Sequence, residues 1–454
     1  MQGINAPDFN GDPELQELLD MTLLYLKKCE GKQVEPKLYK YSRINLVNLP
    51  PNPNLYFKLK SRLSTIFRYG VHDKDLIKRI ILSAITRYET LKASELAVLK
   101  SLSDNPSMKL KDIASKHNIT ITGASKIVKR LQEKTGLRVL LYPDYGLFKL
   151  KHYLYYFRVK EENVPILQEL LTTPFLLSFN ISNISVPDYV YGWASYIIPN
   201  QRNTVNEFIR FTVALRNIVD MWERIEIQGM AIGLNLNFFD GERWYFDEVS
   251  WTFWLLNQIK ENPHLFPVTN FYYYSKEPIR FTRADFLIFS RLIANANVTV
   301  KTINKILTKL GYPRSPSYIN QFRKKLFSIV PKYIMIDGLG LRDMIVLFIQ
   351  TADPEKLDLL HRFFSQFPLY VVYTSQTGIY AAIFLPEGKS LSFYYMFELL
   401  KREFEDLIMI PIFRNIGSGF SEEQLIRLWN EKMQVWIASN IFSEKIRKIS
   451  ELGY

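Results

Sequence analysis

Leu141-Tyr142-Pro143-Asp144-Tyr145-Gly146-Leu147, followed shortly by Tyr153-Leu154-Tyr155-Tyr156-Phe157-Arg158-Val159, is the stretch on which the reading of this chain turns. An apolar run ends in a Pro-Asp-Tyr-Gly turn, with Gly at its last position, and a β-rich run follows. Upstream lie three short amphipathic patterns. Leu96, Leu99 and Leu102 recur at helical spacing until Asn105-Pro106 stops them. Leu110, Ile113 and Ala114 mark a second helix, to Lys116. After the turn at Asn118-Ile119-Thr120, a third helix is expected to Thr135, with Thr122 as its cap and Gly136 as its C-cap. Three short helices with a tight turn before the third predict a helix-turn-helix. Downstream, strands at 152–159, 175–184, 189–198 and 222–232 alternate with helices at 161–171 and 204–219, giving β-α-β-β-α-β.

The second half repeats this order. Helices are expected over 282–295, 300–310 and 317–328, with Gly311-Tyr312-Pro313-Arg314-Ser315-Pro316 as the turn. A strand at 333–336 and the turn Asp337-Gly338-Leu339-Gly340 follow. Then come β 344–349, α 355–364, β 369–374, β 379–385, α 390–404 and β 408–414. Matching elements lie about 190 residues apart, the mark of an internal duplication. The expected fold class is therefore α+β: two winged helix-turn-helix modules, each followed by a ferredoxin-like β-α-β-β-α-β domain, with an extra helical N-terminal region. The expected division is a helical extension (1–91), winged module 1 (92–150), ferredoxin-like domain 1 (151–232), an aromatic linker (233–276), winged module 2 (277–340), ferredoxin-like domain 2 (341–416) and a C-terminal helix (417–454). The extension is read as a helix over 13–29, a crossing at Pro50, Pro51 and Pro53, and a helix near 73–88.

Composition bounds the function. At 454 residues the chain is too long for one core. Its 47% hydrophobic and 23% charged residues suit an ordered protein. The net charge of +13 is concentrated. Residues 92–149 hold 11 Lys/Arg against 5 Asp/Glu, and residues 277–334 hold 11 against 2. Two basic modules in a near-neutral chain favour a polyanionic partner. The single cysteine, Cys29, excludes an internal disulfide and multi-cysteine metal sites. Met1 to Glu17 lacks a signal-peptide pattern, and no apolar run is long enough for a bilayer span. The expectations are no membrane contact and a cytoplasmic, nucleoid-associated location.

The third helices carry the candidate site. In the first module Thr120, Thr122, Ser125, Lys126, Lys129 and Arg130 surround an apolar stripe. Short side chains let a helix approach a groove, and cations meet phosphates. In the second, Arg314, Ser315, Ser317, Tyr318, Asn320, Gln321, Lys324 and Lys325 are the candidates, beside Arg323. Asn and Gln pair bidentately with adenine, and Arg314 is placed to hold a phosphate. The alternative for the first helix is the solvated face of an ordinary trihelical domain; for the second it is that Arg323-Lys324-Lys325 is only a non-specific patch, which still gives DNA contact. The expected partner is double-stranded DNA.

This element order resembles the Lrp/AsnC family of transcriptional regulators over about 92–232 and 280–415. The likeness is carried by the 141–159 junction and its repeat, Met335 to Leu341 followed by Met344 to Ile349. The resemblance implies regulation of transcription, association through the ferredoxin-like domains and, in many members, a small-molecule effector bound beside a Gly-Asp loop. Val186-Pro187-Asp188 and Ser375-Gln376-Thr377-Gly378 do not match that loop, so no residue supports an effector. Sirohaem decarboxylases resemble the same family and can carry two copies per chain. They imply basic and His side chains around a tetrapyrrole, and His152 stands at a domain junction, with Asp343 as its counterpart. A chromatin-organising protein is the third reading. Phosphate-loop, dinucleotide and His-Glu-x-x-His motifs are absent, and His72, His117, His152, His264 and His361 are scattered. The reading is thus no enzyme, no catalytic residue, no metal and no cofactor.

One expectation concerns assembly. Tyr153, Tyr155 and Phe157, and Ile345, Leu347 and Ile349, each share a sheet face. Helices cover one face of each sheet, so these apolar faces are expected to be the uncovered ones and to pair within the chain. A second chain would then complete a homodimer with four DNA-binding modules.

Overall fold

The computed structural model describes residues 13–32, 34, 47, 55–56, 59–60, 63, 77, 81, 90–186, 188–245, 248–266, 271–336, 339–386, 389, 393, 401, 407–410, 413–417, 422–438 and 440–452. The helix expected near 73–88, the proline crossing, Asp337 and Gly338, and most of the 390–404 helix lie outside the described residues. Helix α1 (Pro13–Cys29) buries Leu15, Leu18, Leu19 and Leu26 in a small core with Leu59, Leu63, Ile77 and Ile81.

The first trihelical unit comprises α2 (Ala93–Asp104), α3 (Leu110–Lys116) and α4 (Ile121–Thr135). Of its expected apolar stripe Leu99, Leu102, Ile113, Ala114, Ala124, Ile127 and Leu131 are buried, whereas Leu96 is half-buried with Val98 inside instead, and Leu110, at the first position of α3, is exposed. The cap of α4 is Thr120 rather than Thr122: its hydroxyl accepts from Gly123 N–H at 3.0 Å. Gly136 terminates α4 at φ 64°.

Strand β1 (Arg138–Leu141) leads into the junction. There Asp144 is fully buried and accepts from Gly146 N–H, Ser275 N–H and the Tyr272 hydroxyl, the last at 2.6 Å. Burial raises the carboxyl's pKa against these hydrogen bonds, which lower it. A Cβ on Gly146 would stand 2.1 Å from the Ser275 carbonyl, so the turn is bolted to a segment about 130 residues away by a glycine-only approach.

The first sheet contains β2 (Leu150–Lys160), β3 (Leu176–Val186), β4 (Tyr189–Pro199) and β5 (Val219–Ile227), with α5 (Val164–Leu171) and α6 (Arg202–Ala214) between them. The chain then runs through β6 (Gly229–Leu234), α7 (Glu248–Glu261) and β7 (Phe271–Tyr273). The second trihelical unit follows: α8 (Arg283–Ala294), α9 (Val300–Lys309) and α10 (Pro316–Ile329), capped by Ser315. Then come β8 (Lys332–Met335), β9 (Leu341–Gln350), α11 (Pro354–Phe364), β10 (Leu369–Thr374), β11 (Gly378–Pro386), β12 (Leu407–Ile410) and β13 (Phe413–Gly417). The C-terminal segment holds α12 (Glu422–Arg427), β14 (Trp429–Asn430), β15 (Val435–Trp436) and α13 (Ile441–Glu451). The molecule is α+β, and among the described residues the order β-α-β-β that follows β1 also follows β8.

The halves interlock in a way that linear reading misses. The five-stranded sheet runs β13-β3-β4-β2-β5, and the six-stranded sheet β12-β9-β11-β10-β6-β7. The strand expected over 222–232 breaks at Gln228: β5 stays in its own sheet, while β6 pairs with β10 of the other. The strand expected over 408–414 breaks likewise, and β13 pairs with β3. Each exchange covers an edge that would otherwise present unpaired backbone. The 233–276 segment is not a tether: β7 extends the second sheet, and Leu255, Leu256 and Ile259 of α7 join the core under α11.

Strand β1 pairs antiparallel with β8, from Arg138 opposite Met335 to Leu141 opposite Lys332. Each four-residue strand finds its twin rather than a strand of its own, so no unit has a separate two-stranded wing among the described residues. The trihelical units also cross over. The first packs on Leu234, Leu236, Leu339, Leu341 and Leu369 at the end of the second sheet. In the second, Phe281, Phe286 and Phe289 pack round Phe148 of the first junction.

The sheets do pair face to face within the chain, but through the opposite faces from those expected. Leu154, Tyr156, Ile225 and Ile227 meet Val346, Phe348, Tyr380 and Ala382. Tyr153, Tyr155 and Phe157 point the other way and lie in the core with Phe208 and Phe211 of α6. Ile345, Leu347 and Ile349 lie with Leu360, Phe363 and Phe364 of α11.

Candidate nucleic-acid interface and inter-sheet cavity

The third helix of each unit follows a turn that needs a left-handed residue: Asn118 at φ 51° before α4, and Gly311 at φ 83° before α10. N-caps then set the register. Ser315 accepts from Tyr318 N–H at 3.2 Å, as Thr120 accepts from Gly123. With Ala124, Ile127 and Leu131 buried in one helix and Ile319, Phe322 and Leu326 in the other, the opposite face of each helix is turned to solvent.

Thr120, Thr122, Ser125, Lys126, Lys129 and Arg130 are all exposed. Lys129 stands 3.9 Å from Glu133. Arg130 stands 3.9 Å from Glu95, a buried carboxylate that also takes Lys134 at 2.7 Å. Burial alone would raise the pKa of Glu95; Lys134 and the Lys92 N–H bring it below the usual value. In the second unit Ser315, Ser317, Asn320, Gln321, Lys324 and Lys325 are exposed. Two candidates are held internally. Tyr318 donates its hydroxyl to Asp285 at 2.8 Å, and Arg314 lies over the Tyr318 ring while donating to the Pro313 carbonyl. Arg323 turns inward to the Ala296 carbonyl.

Sequence reasoning passed over exposed cations on the preceding helices: Lys109, Lys111 and Lys116 in the first unit, Lys301, Lys305 and Lys309 in the second. The four-residue spacing of Lys301, Lys305 and Lys309, which puts them on one helix face, was the available signal.

The second feature is a cavity of about 350 Å³ beside the sheet interface, lined by Pro143, Tyr145, His152, Leu177, Ser178, Trp193, Ser195 and Tyr373. His152 is 2% exposed, with Nε2 2.7 Å from the Ser195 hydroxyl and Nδ1 3.0 Å from that of Tyr274. Burial lowers its pKa to about 3, so at neutral pH the ring is uncharged and a weak base. Of the His and basic side chains implied by the decarboxylase resemblance, this cavity has His152 alone; the side chain of Asp343 lies outside the described residues. Among the described residues no cluster of three His, Cys, Asp or Glu is placed to hold a metal, and no helix is long and apolar enough to cross a membrane.

No known family profile and no curated protein matches the chain. Among solved structures, the siroheme decarboxylase NirDL is 12% identical, with a TM-score of 0.41, over 79% of this chain and all of that one. The same enzyme in complex with an iron-uroporphyrin III analogue gives 10% and 0.43 over the same shares. An AsnC family transcriptional regulator from Agrobacterium tumefaciens is 12% identical, with a TM-score of 0.22, over 30% of this chain and 89% of its own. The likeness to AsnC family regulators thus spans only part of the chain. The neighbour spanning 79% is an enzyme, which overturns the expectation that this chain is none; at this identity and TM-score it assigns no reaction.

Proposed function

We propose that this chain binds duplex DNA through two helix-turn-helix modules, α2–α4 and α8–α10, and acts as a transcriptional regulator. One observation carries the reading: in both units the helix after the turn buries its apolar stripe and turns short polar and basic side chains to solvent. The concentration of charge in the same two units supports it. We read the chain as a tandem duplicate of an Lrp/AsnC-like unit, supported by the repeated element order and by β-α-β-β-α-β sheets with matching strand orders. The β1–β8 pairing would hold both modules in one fixed frame, as a dimer does for a single-copy regulator. The inter-sheet cavity is where a small, mostly uncharged effector would fit. A nucleoid location follows from the same reading. With the free sheet faces already paired inside the chain, a homodimer would need another surface; light scattering reads that directly.

A chromatin-organising role uses the same contacts, and base discrimination separates the two. Fluorescence anisotropy on random duplex and on selected sites provides the test. A regulator prefers its site by a factor of roughly 10³ or more. Equal affinity for both sequences indicates broad coating, and no binding at low salt removes DNA from the account.

A further inference from the structure

We infer that the two modules divide the reading of DNA and that the duplex this chain selects is non-palindromic: the second module reads bases through Asn320 and Gln321, and the first mainly grips the backbone through Lys126 and its neighbours. This rests on the DNA reading above.

The N-caps and buried positions supply the comparison. Thr120 matches Ser315, and Ala124, Ile127 and Leu131 match Ile319, Phe322 and Leu326. In this register Ser125 stands where Asn320 does, Lys126 where Gln321 does, Lys129 where Lys324 does and Arg130 where Lys325 does. All eight are exposed.

The exposed faces differ in kind. An amide presents a donor and an acceptor together and matches the N6 and N7 pair of adenine. The second module offers two adjacent amides on a helix with no acidic residue, flanked by Lys324 and Lys325. The first offers a short hydroxyl and a lysine, whose ammonium is a mobile point charge suited to phosphate. Two of its cations also face acids of their own module, Lys129 near Glu133 and Arg130 near Glu95. It also carries Ile121, 57% exposed at the first turn of α4, where the second module has Pro316. An isoleucine there gives contact with a thymine methyl and little else.

A single-copy protein that dimerises presents two equal readers and selects two equal half-sites. Here the readers are unequal and covalently joined, and the β1–β8 pairing ties the ends of their two units to each other.

Selection from a pool of random-sequence duplexes, followed by sequencing, tests this on the full chain. The expected result is one information-rich segment containing adenine, with a flank showing at most a weak thymine preference. Asn320→Ala and Gln321→Ala should each lower discrimination at one position by about tenfold, with affinity for random duplex nearly unchanged. The double change Ser125→Asn with Lys126→Gln should create a second informative segment. Two equal half-sites from the natural chain, or unaltered selection by both alanine variants, overturns the inference. Duplex retained without any sequence preference overturns it too while leaving DNA binding intact; no duplex retained at low salt overturns the underlying reading as well.

Discussion

The two trihelical units share a frame and differ in how they are held. The first rests on the end of the second sheet, with Ser103 donating to the Leu234 carbonyl and Leu91 N–H to Gly241. The second is clamped as well. Phe281 stacks on Trp429 with centroids 3.9 Å apart, Arg283 donates twice to the Trp429 carbonyl, and Gln434 both donates to and accepts from the backbone of Phe281. The same hairpin reaches the first half: Trp436 donates to the Phe148 carbonyl, and Lys149 donates to that of Gln434. Beyond it Phe442 sits among Phe175, Phe208 and Phe211, and Lys445 and Lys448 bind Glu169. The lesson is that two units of like helix order are anchored by what surrounds each: the first by a sheet end, the second by an aromatic hairpin.

The largest expected effect breaks that clamp. Trp429→Ala removes a buried aromatic stacked on Phe281 and should cost about 3–5 kcal/mol in a urea titration. Hydrogen exchange should then quicken in α8–α10 while α2–α4 keeps its protection. Equal quickening in both units would show that the hairpin anchors the whole molecule rather than one module.

Next is charge. Lys324→Glu with Lys325→Glu should weaken DNA binding by at least tenfold and flatten the logarithmic salt dependence by about 1.8, at 0.9 per lost phosphate contact. Lys129→Glu with Arg130→Glu should do less, because Glu133 and Glu95 already draw on those cations. Equal losses would remove the electrostatic difference between the modules.

How much of this was legible follows from physical scale. Local signals worked: most of the apolar stripe of the first unit's three helices and the Gly136 end are set by residues a few positions apart. Which face of β2 lies beneath helices was not legible, because alternation gives two apolar faces and no rule for choosing between Tyr153 and Leu154. The exchange of β6 and β13 was hidden too, since a break at Gln228 looks like any residue within a strand. For the candidate interface, the solvent-facing residues could be read, but the internal bonds of Tyr318, Arg314 and Arg323 could not. Their partners Asp285 and Ala296 lie on or beside other helices of the unit.

Acid sharpens the comparison at the sheets. His152, with its pKa lowered to about 3 by burial, binds no proton in the folded chain where an unfolded histidine already does. The unfolded state therefore holds more protons between pH 6.5 and 3. Stability is unaffected above that window and falls as pH drops through it, by about 1.4 kcal/mol per pH unit. His361 on α11, against Thr374 of the second sheet, lowered to about 4 by burial against the opposing pull of Asp358, adds a narrower window. His152→Asn should make the acid slope shallower in urea titrations at pH 4 to 6; an unchanged slope would show that this ring does not govern it.

The smallest effects are the caps. Thr120→Ala and Ser315→Ala should each cost about 1 kcal/mol, nearly equal because both hydroxyls accept the same helical N–H. Unequal thermal shifts would show that the two third helices are not built alike.

Hydroxyl-radical footprinting of a selected duplex by the full chain tests the central claim most directly. The account expects two protected patches on one duplex, one lost with Lys324→Glu and Lys325→Glu and the other with Lys126→Glu. A single patch indifferent to both sets of changes, or no protection at low salt, would contradict it.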